Sequence, residues 1–226
     1  EPFRALTNKL KPYPKKNPLF VPVRRSPLDE AAVAFRRGGV IAFPTETFYG
    51  LGVDPFNINA LEKLFALKGR EQGKPVLLII KDASMLASVA SDVPQEAFVL
   101  MDRFWPGPLT MLFRANTRVP DAITGKTGKV GVRVSSSPVC QRLLKAINSP
   151  ITATSANPAG MKPAKSAEEV IAYFGAKVDV VIGGRRLKAK APSTVIDIEG
   201  KELTLVRDGA VPFKEIMKAL GRAFTD

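Results

Sequence analysis

Apolar residues recur along the chain at two different spacings. Between positions 58 and 65 they return every three or four residues, which is the period of one helix face and predicts a helix ending near Lys68. Val76–Ile80 is instead an unbroken apolar run of strand length, typical of a strand buried on both faces. Along the whole chain, the two patterns predict helices and strands that alternate early and strands that cluster late.

Glycine, proline and capping residues mark where these elements begin and end. Helices are predicted at residues 27–37, 59–68, 83–90, 94–105, 137–147, 166 onward and 212–220. Strands are predicted at residues 40–43, 76–80, 109–113, 130–134, 151–154, 178–182, 194–198 and 203–206. The second helix is expected to open on a capping box at Asn59. This order predicts an α/β fold: a single domain with a twisted mixed sheet and flanking helices.

The predicted strand Val130–Val134 carries different side chains on its two faces. Because strand side chains alternate, its three valines share one face, whereas Gly131 and Arg133 share the other. The valine face is expected to join the core. A glycine beside an arginine leaves room for a group to approach closely, so the opposite face is a candidate binding surface.

The first 25 residues differ in composition from the rest. They hold seven basic residues, one acidic residue and five prolines, which favours an extended or partly disordered arm. We therefore divide the chain into a basic, proline-rich arm at residues 1–25 and a folded domain at residues 26–226. The arm is either a solvated tail or a contact for a phosphate backbone, and both stay open.

Two residue types exclude whole classes of site. The chain has no histidine, which excludes a Ser-His-Asp or Cys-His nucleophile and an imidazole-ligated metal. Its single cysteine, Cys140, excludes an internal disulfide, is expected to be buried filler and is typical of a reducing, cytoplasmic compartment. No apolar run approaches the roughly 18 residues that cross a bilayer, so no membrane contact is expected.

The net charge of +13 favours phosphate-bearing ligands. Basic residues stand at the ends of several predicted elements, where ligand sites of open α/β sheets lie. A further basic group falls in a loop and comprises Arg185, Arg186, Lys188 and Lys190. Because no G-x-x-x-x-G-K-[ST] or G-x-G-x-x-G loop occurs, a nucleotide would have to be held by scattered cations. The polar loops at 45–47, 154–158 and 193–194 suit either a ligand or ordinary turns.

Seven short motifs, in order along the chain, resemble the signatures of the YrdC-like family. They are Pro44–Gly52 (P-T-E-T-F-Y-G-L-G), Lys68–Arg70 (K-G-R), Trp105–Thr110 (W-P-G-P-L-T), Val132–Val134 (V-R-V), Ser155–Asn157 (S-A-N), Ser193–Asp197 (S-T-V-I-D) and Arg207–Gly209 (R-D-G). The resemblance covers about Ser26 to Pro212. It implies an α/β fold with a twisted sheet around a large, positively charged cavity.

The resemblance also implies a reaction. Proteins of this family condense L-threonine, bicarbonate or carbon dioxide, and ATP into threonylcarbamoyl-adenylate and release pyrophosphate. A downstream transferase then moves the threonylcarbamoyl group to an adenosine beside the tRNA anticodon. The implied enzyme is a cytoplasmic nucleotidyltransferase that uses ATP with Mg²⁺ as substrate. It needs no prosthetic group and no metal ligand from the protein, and direct contact with RNA is a further expectation.

Position by position, the resemblance implies two groups of binding residues. The ATP-binding group is Lys68, Arg70, Lys74, Lys129, Ser155, Asn157, Pro163 and Arg207. The threonine-binding group is Thr47, Arg133, Ala153 through its backbone, and Ser193. Lys68 and Arg70 are the candidates for electrostatic catalysis, because cations offset the charge that develops on a leaving pyrophosphate. No residue is assigned to proton transfer.

The sequence departs from the family pattern in three ways. Glu71 stands where proline often follows the K-x-R motif, and it puts an acid beside the implied ATP site. Ile79 stands near the position where many longer relatives have a histidine that touches threonine. The chain also ends before the extra C-terminal domain of those relatives, so a single-domain form is expected.

Two other functions stay open. A double-stranded RNA-binding or tRNA-binding protein without catalysis would suit the charge of +13 and the basic arm. Against it, one Trp and three Tyr offer few aromatic contacts. A related domain that makes a carbamoyl-adenylate for another acceptor would keep K-x-R and S-x-N, but such domains sit in much longer chains.

Overall fold

The computed structural model describes residues 19–21, 27–69, 73–200 and 202–222, which form two mixed β-sheets with helices packed around them. The strands are β1 Leu19–Val21, β2 Ile41–Pro44, β3 Tyr49–Gly52, β4 Leu78–Ile80, β5 Ala90–Asp92, β6 Leu109–Ala115, β7 Lys129–Val134, β8 Ile151–Thr152, β9 Thr154–Ser155, β10 Val180–Ile182, β11 Thr194–Glu199 and β12 Glu202–Arg207. The helices are α1 Pro27–Arg36, α2 Ile58–Lys68, α3 Gln95–Phe104, α4 Asp121–Thr124, α5 Pro138–Ile147, α6 Ala167–Phe174 and α7 Phe213–Ala219.

The strands divide between two sheets. The first has the order β1-β10-β2-β3-β9, and the second has the order β12-β11-β6-β7-β4-β8 with β5 attached to β6. Both are mixed, since β2 pairs parallel with β10 and antiparallel with β3, and β6 pairs parallel with β11 and antiparallel with β7. The predicted α/β class is confirmed, although the strands build two sheets instead of one.

The chain passes from one sheet to the other at Ala153. The sequence predicts one strand at residues 151–154, but its first half pairs with β4 in the second sheet and its last residues pair with β3 in the first. Between the halves, the Ala153 amide donates to the Leu77 carbonyl at 2.7 Å. This crossing brings an edge of each sheet to the same place.

The sheets pack against two layers of buried apolar side chains, one larger than the other. The valine face of β7 lies in the larger layer, as predicted, with Val130, Val132 and Val134 all buried. The smaller layer lies under α1 and α5 and contains Ile79 and Cys140, both completely buried. The burial of Cys140 confirms the expectation of buried filler, and it raises the pKa of the thiol to about 12.

One predicted helix start and one predicted helix differ from the structure. Helix α2 is capped by Asn57, whose side-chain oxygen accepts from the Ala60 amide at 3.1 Å, so the cap lies two residues before Asn59. The predicted helix at 83–90 is a 3₁₀ turn, Ala83–Ser88, followed by β5. The Ser88 hydroxyl donates to the Met85 carbonyl at 2.7 Å, and such local bonds compete with α-helix formation.

Part of the predicted arm belongs to the first sheet. Leu19–Val21 pairs parallel with Val180–Ile182, and the rest of residues 1–25 lies outside the described residues. None of the helices in the described part of the chain is long and apolar enough to cross a membrane.

Candidate functional site

A cavity of about 1030 Å³ receives its walls from both sheets. The first sheet contributes β3, β9 and the loop before β3, and the second contributes β6, β7, β11 and β12. Ala153, where the chain changes sheets, also lies in the wall. The volume is at the upper end of the usual range for small-molecule sites, which is about 300–1,000 Å³. The cavity therefore has room for more than one ligand.

The structure brings most of the predicted binding residues to this cavity. Its lining includes Thr47, Lys129, Arg133, Ala153, Ser155, Pro163, Ser193 and Arg207. Lys68, Lys74 and Asn157 do not line it, and Arg70 and Glu71 lie outside the described residues. The four residues of the predicted threonine group thus share one cavity with four of the predicted ATP group.

Lys68 is buried beneath the loop that carries Ser155. Its ammonium donates to the carbonyls of Ser155 at 2.5 Å and Asn157 at 3.0 Å, and its own carbonyl accepts from the Ala159 amide at 3.1 Å. The Asn157 side chain donates to the Met161 carbonyl at 2.8 Å. The K-x-R lysine and the S-x-N asparagine therefore hold this loop against α2 and fix the position of Ser155 in the cavity wall.

Arg133 lies in the cavity wall on β7 and makes an ion pair with Glu46. Nη1 of Arg133 donates to Oε1 of Glu46 at 2.6 Å, and the other Glu46 oxygen accepts from the Ser135 hydroxyl. Glu46 is not among the predicted binding residues, although it lies inside the P-T-E-T motif. The motif was the available signal, but a loop acid alone indicates a solvated charge.

Arg207, at the end of β12, is bound to Ser193. Its Nε and Nη2 donate to the Ser193 carbonyl at 3.1 and 2.8 Å, and Nη2 also donates to the Ser193 hydroxyl at 3.0 Å. The hydroxyl lies 2.9 Å from that of Thr110. Desolvation of the guanidinium, followed by repulsion from Arg133, lowers the pKa of Arg207. The two arginines therefore lie close enough in the cavity wall for their like charges to interact.

Lys129 opens β7 and is held by two carboxylates on β11. Its Nζ lies 2.7 Å from Oδ2 of Asp197 and 3.0 Å from Oε2 of Glu199. The hydrogen bond to Asp197 is the main cause that raises the pKa of Lys129, and the hydrogen bond from Lys129 lowers the pKa of Glu199. A second cavity of about 490 Å³ also has Lys129 and Asp197 in its wall. The lysine thus lies between two cavities and is held there by the two carboxylates.

The expected open space beside Gly131 is filled by the protein itself. A Cβ at Gly131 would lie 2.4 Å from Cδ2 of Leu77 and 3.0 Å from Cδ2 of Leu112. The groups that approach this glycine closely are therefore the two leucines, which line the cavity themselves. Ile79 is buried in the layer under α1 and α5 and does not line the cavity.

Other charged groups lie apart from the cavity. Arg185, Lys188 and Lys190 are exposed, and Arg186 pairs with Glu169 at 2.7 Å. Across the residues that the structure describes, no three Asp, Glu or Cys side chains are grouped so that they could hold a metal ion.

Known proteins are similar to this chain in both sequence and fold. A family model named Sua5/YciO/YrdC, with the description telomere recombination, matches residues 33–209. The chain is 38% identical over 191 residues to the threonylcarbamoyl-AMP synthase of Pyrococcus abyssi, which covers 84% of this chain and 56% of the relative. It is 38% identical over 167 residues to the threonylcarbamoyl-AMP synthase of Halorhodospira halophila, which covers 74% of this chain and 87% of the relative.

A solved structure agrees with these matches. The crystal structure of Pyrococcus abyssi Sua5 complexed with L-threonine has a TM-score of 0.83 to this chain at 37% identity, over 86% of this chain and 57% of that chain. The chain thus spans a little over half of the Pyrococcus protein and most of the Halorhodospira protein.

Proposed function

Because this chain belongs to the Sua5/YciO/YrdC family, we propose that it condenses L-threonine, bicarbonate or carbon dioxide, and ATP into threonylcarbamoyl-adenylate and pyrophosphate. One observation carries the proposal: Arg133, Arg207 and Lys129 converge on a single cavity that is large enough for two ligands. Hydroxyl groups of Thr47 and Ser193 lie in the same walls. Cations and hydroxyls in one enclosure suit a reaction between an amino acid and a triphosphate.

The amino-acid end of the cavity is assigned to Thr47, Arg133, Ala153 and Ser193. Arg133 suits the threonine carboxylate, because a guanidinium binds a carboxylate through two parallel hydrogen bonds. Its ion pair with Glu46 uses Nη1, and within the described residues this leaves the Nε and Nη2 donors for a ligand.

The nucleotide end is assigned to Lys129, Ser155, Pro163 and Arg207, which line the cavity. Mg²⁺ enters with ATP and is held mainly by phosphate oxygens and water. Four more residues complete the proposed ATP group, namely Lys68, Arg70, Lys74 and Asn157. Among them, Lys68 and Asn157 act through the loop that they hold.

The chemistry joins two anions, so it depends on charge and position. The threonine nitrogen adds to carbon dioxide and loses a proton to solvent, which forms a carbamate. A carbamate oxygen then attacks the α-phosphorus, and the bond to the pyrophosphate breaks. Arg207, Lys129 and Arg70 offset the charge on the phosphates, Lys68 acts through the loop that it holds, and the cavity keeps the reactants close together. No residue is assigned as a general base.

The product is an activated threonylcarbamoyl group for a transferase that acts on tRNA. We place the reaction in the cytoplasm, where tRNA and ATP occur together. We assign the catalysis to residues 26–226, with Leu19–Val21 adding a strand to the first sheet.

RNA binding without catalysis is the second candidate function. The exposed basic residues Arg185, Lys188 and Lys190 favour it, because such residues contact phosphates in a sequence-independent way. Binding of this kind weakens steeply as salt increases, whereas a nucleotide inside a cavity responds less.

Pyrophosphate release from ATP, Mg²⁺ and bicarbonate, measured with and without L-threonine, tests the proposed function. Release that requires both threonine and bicarbonate supports the synthase. No release, together with tight and salt-sensitive binding of tRNA, supports the second candidate and overturns the first.

A further inference from the structure

The ion pair of Glu46 and Arg133 joins the two sheets at the amino-acid end of the cavity. Glu46 lies in the loop between β2 and β3 of the first sheet, and Arg133 lies on β7 of the second. The two side chains are 13% and 8% exposed, and their atoms meet at 2.6 Å. A contact this short and this shielded from water fixes both groups.

Glu46 is anchored a second time through serines. Its other oxygen accepts from the Ser135 hydroxyl, which itself accepts from the Ser137 amide at 3.2 Å. The Ser137 hydroxyl in turn donates to the Pro44 carbonyl at 2.8 Å, at the start of the same loop. The loop is thus tied to the segment that follows β7 at two points, its start at Pro44 and its second residue, Glu46.

The loop is also braced from within. The Thr45 hydroxyl donates to the Phe48 carbonyl at 2.7 Å and accepts from the Thr47 amide at 3.1 Å. The position of Thr47 is therefore coupled to that of Glu46, which lies between the two threonines.

We propose that Glu46 is the positioning residue of the amino-acid site, which holds Arg133 and Thr47 at the spacing that a bound amino acid spans. This inference rests on the proposed function. Glu46 binds one end of the Arg133 guanidinium and directs the remaining donors to the ligand. Both of its own oxygens are engaged by protein donors, so it acts through Arg133 and not on the substrate.

Glu46→Gln tests the role, because it keeps the size of the side chain and removes its charge. We expect the KM for L-threonine to rise about tenfold, since a charge-assisted bond to Arg133 is lost. The KM for ATP and the pH dependence of kcat stay as in the unaltered protein. Calorimetry with L-threonine alone shows the same loss of affinity. Ser135→Ala acts in the same direction, and Ser136→Ala, at the exposed neighbour, changes nothing.

Any other result overturns either the positioning role of Glu46 or the proposed function. An unchanged KM for threonine in a folded Glu46→Gln protein overturns the positioning role, as does an equal rise in the KM for ATP. Loss of the acidic limb of the kcat profile would identify Glu46 as a proton-transfer group and overturn it too. If the unaltered protein binds threonine but releases no pyrophosphate, the proposed function fails, and calorimetry still decides the role of Glu46. If it binds no threonine, both fail.

Discussion

The guanidinium of Arg207 binds both the carbonyl and the hydroxyl oxygen of Ser193. Arg207 belongs to the proposed ATP group and Ser193 to the proposed threonine group. One pair of residues therefore connects the two ends of the cavity, and a change at either residue is expected to affect both substrates.

Ser193→Ala removes the hydroxyl that accepts from Arg207 and faces Thr110. We expect the KM values for threonine and ATP to rise together, because Arg207 loses one of its three bonds to Ser193. The free energy of unfolding should fall by about 2 kcal/mol, the usual cost of two lost hydrogen bonds, one to Arg207 and one to Thr110. Pyrophosphate release with each substrate varied in turn, and urea unfolding, measure these effects. Ser136→Ala is the control, and a rise confined to threonine would contradict the coupling.

Arg133→Ala leaves Glu46 with Ser135 as its remaining partner in the described part of the chain. We expect threonine-dependent turnover to disappear and the free energy of unfolding to fall by about 3 kcal/mol, because an unpaired carboxylate stays largely buried. The double variant Arg133→Met, Glu46→Gln should regain most of the stability and remain inactive. Urea unfolding and pyrophosphate release separate the two effects. An Arg133→Ala protein with unaltered stability would show that the pair has no structural role.

The lowered pKa of Glu169 makes the free energy of unfolding depend on pH. The Lys165 amide, at 2.7 Å, is the main cause that lowers the pKa of Glu169 below its usual 4.5, and Arg186 adds to it. A carboxyl group with a lowered pKa stabilises the fold above its unfolded pKa, and this contribution is lost as pH falls through the folded pKa. We expect the free energy of unfolding to decrease on acidification below about pH 4.5, and to decrease less in Glu169→Gln.

Urea unfolding of both proteins at neutral and acidic pH measures this difference. Glu62→Gln, at an exposed position on α2, is the matched control and should keep the full pH dependence. Equal pH dependence in Glu169→Gln and the unaltered protein would rule out the contribution of Glu169.

Gly131→Ala should narrow the cavity more than it weakens the fold. The new Cβ would lie 2.4 Å from Cδ2 of Leu77, the end of a flexible side chain that can turn toward the cavity. We expect a loss of about 1 kcal/mol in stability and a clear rise in the KM for at least one substrate. Adding Leu77→Ala should restore the lost affinity, and a failure to do so would show that Leu77 is not the obstruction.

Local patterns identified the buried face of β7 but did not predict β3. The alternation in Val130–Val134 depends only on strand geometry, so five residues are enough to reveal it. In β3, Gly50 and Gly52 weaken the strand signal. The structure requires the second glycine, since a Cβ there would lie 2.6 Å from the Ile151 side chain. That contact joins distant segments, and no local pattern contains it.

In the candidate site too, local motifs were informative and contacts between distant segments were not predictable. Motifs indicated the residues that line the cavity, but they did not show in which direction each side chain points. Lys68 was predicted as an ATP cation, and its ammonium turns to the carbonyls of Ser155 and Asn157. Glu46 meets Arg133 across 87 positions of sequence, a pairing that depends on how the two sheets are placed.

Because Cys140 is buried, its reactivity can be used to measure local opening of the apolar layer at α1 and α5. The only thiol in the chain is shielded under α1 and α5, and its raised pKa keeps it protonated at neutral pH. A thiol reagent can react only after that layer separates, because the sulfur is completely buried and the reagent must reach the thiolate. The labelling rate of the unaltered chain therefore follows the local opening of one layer, and cysteines introduced at the cavity mouth can be labelled without interference.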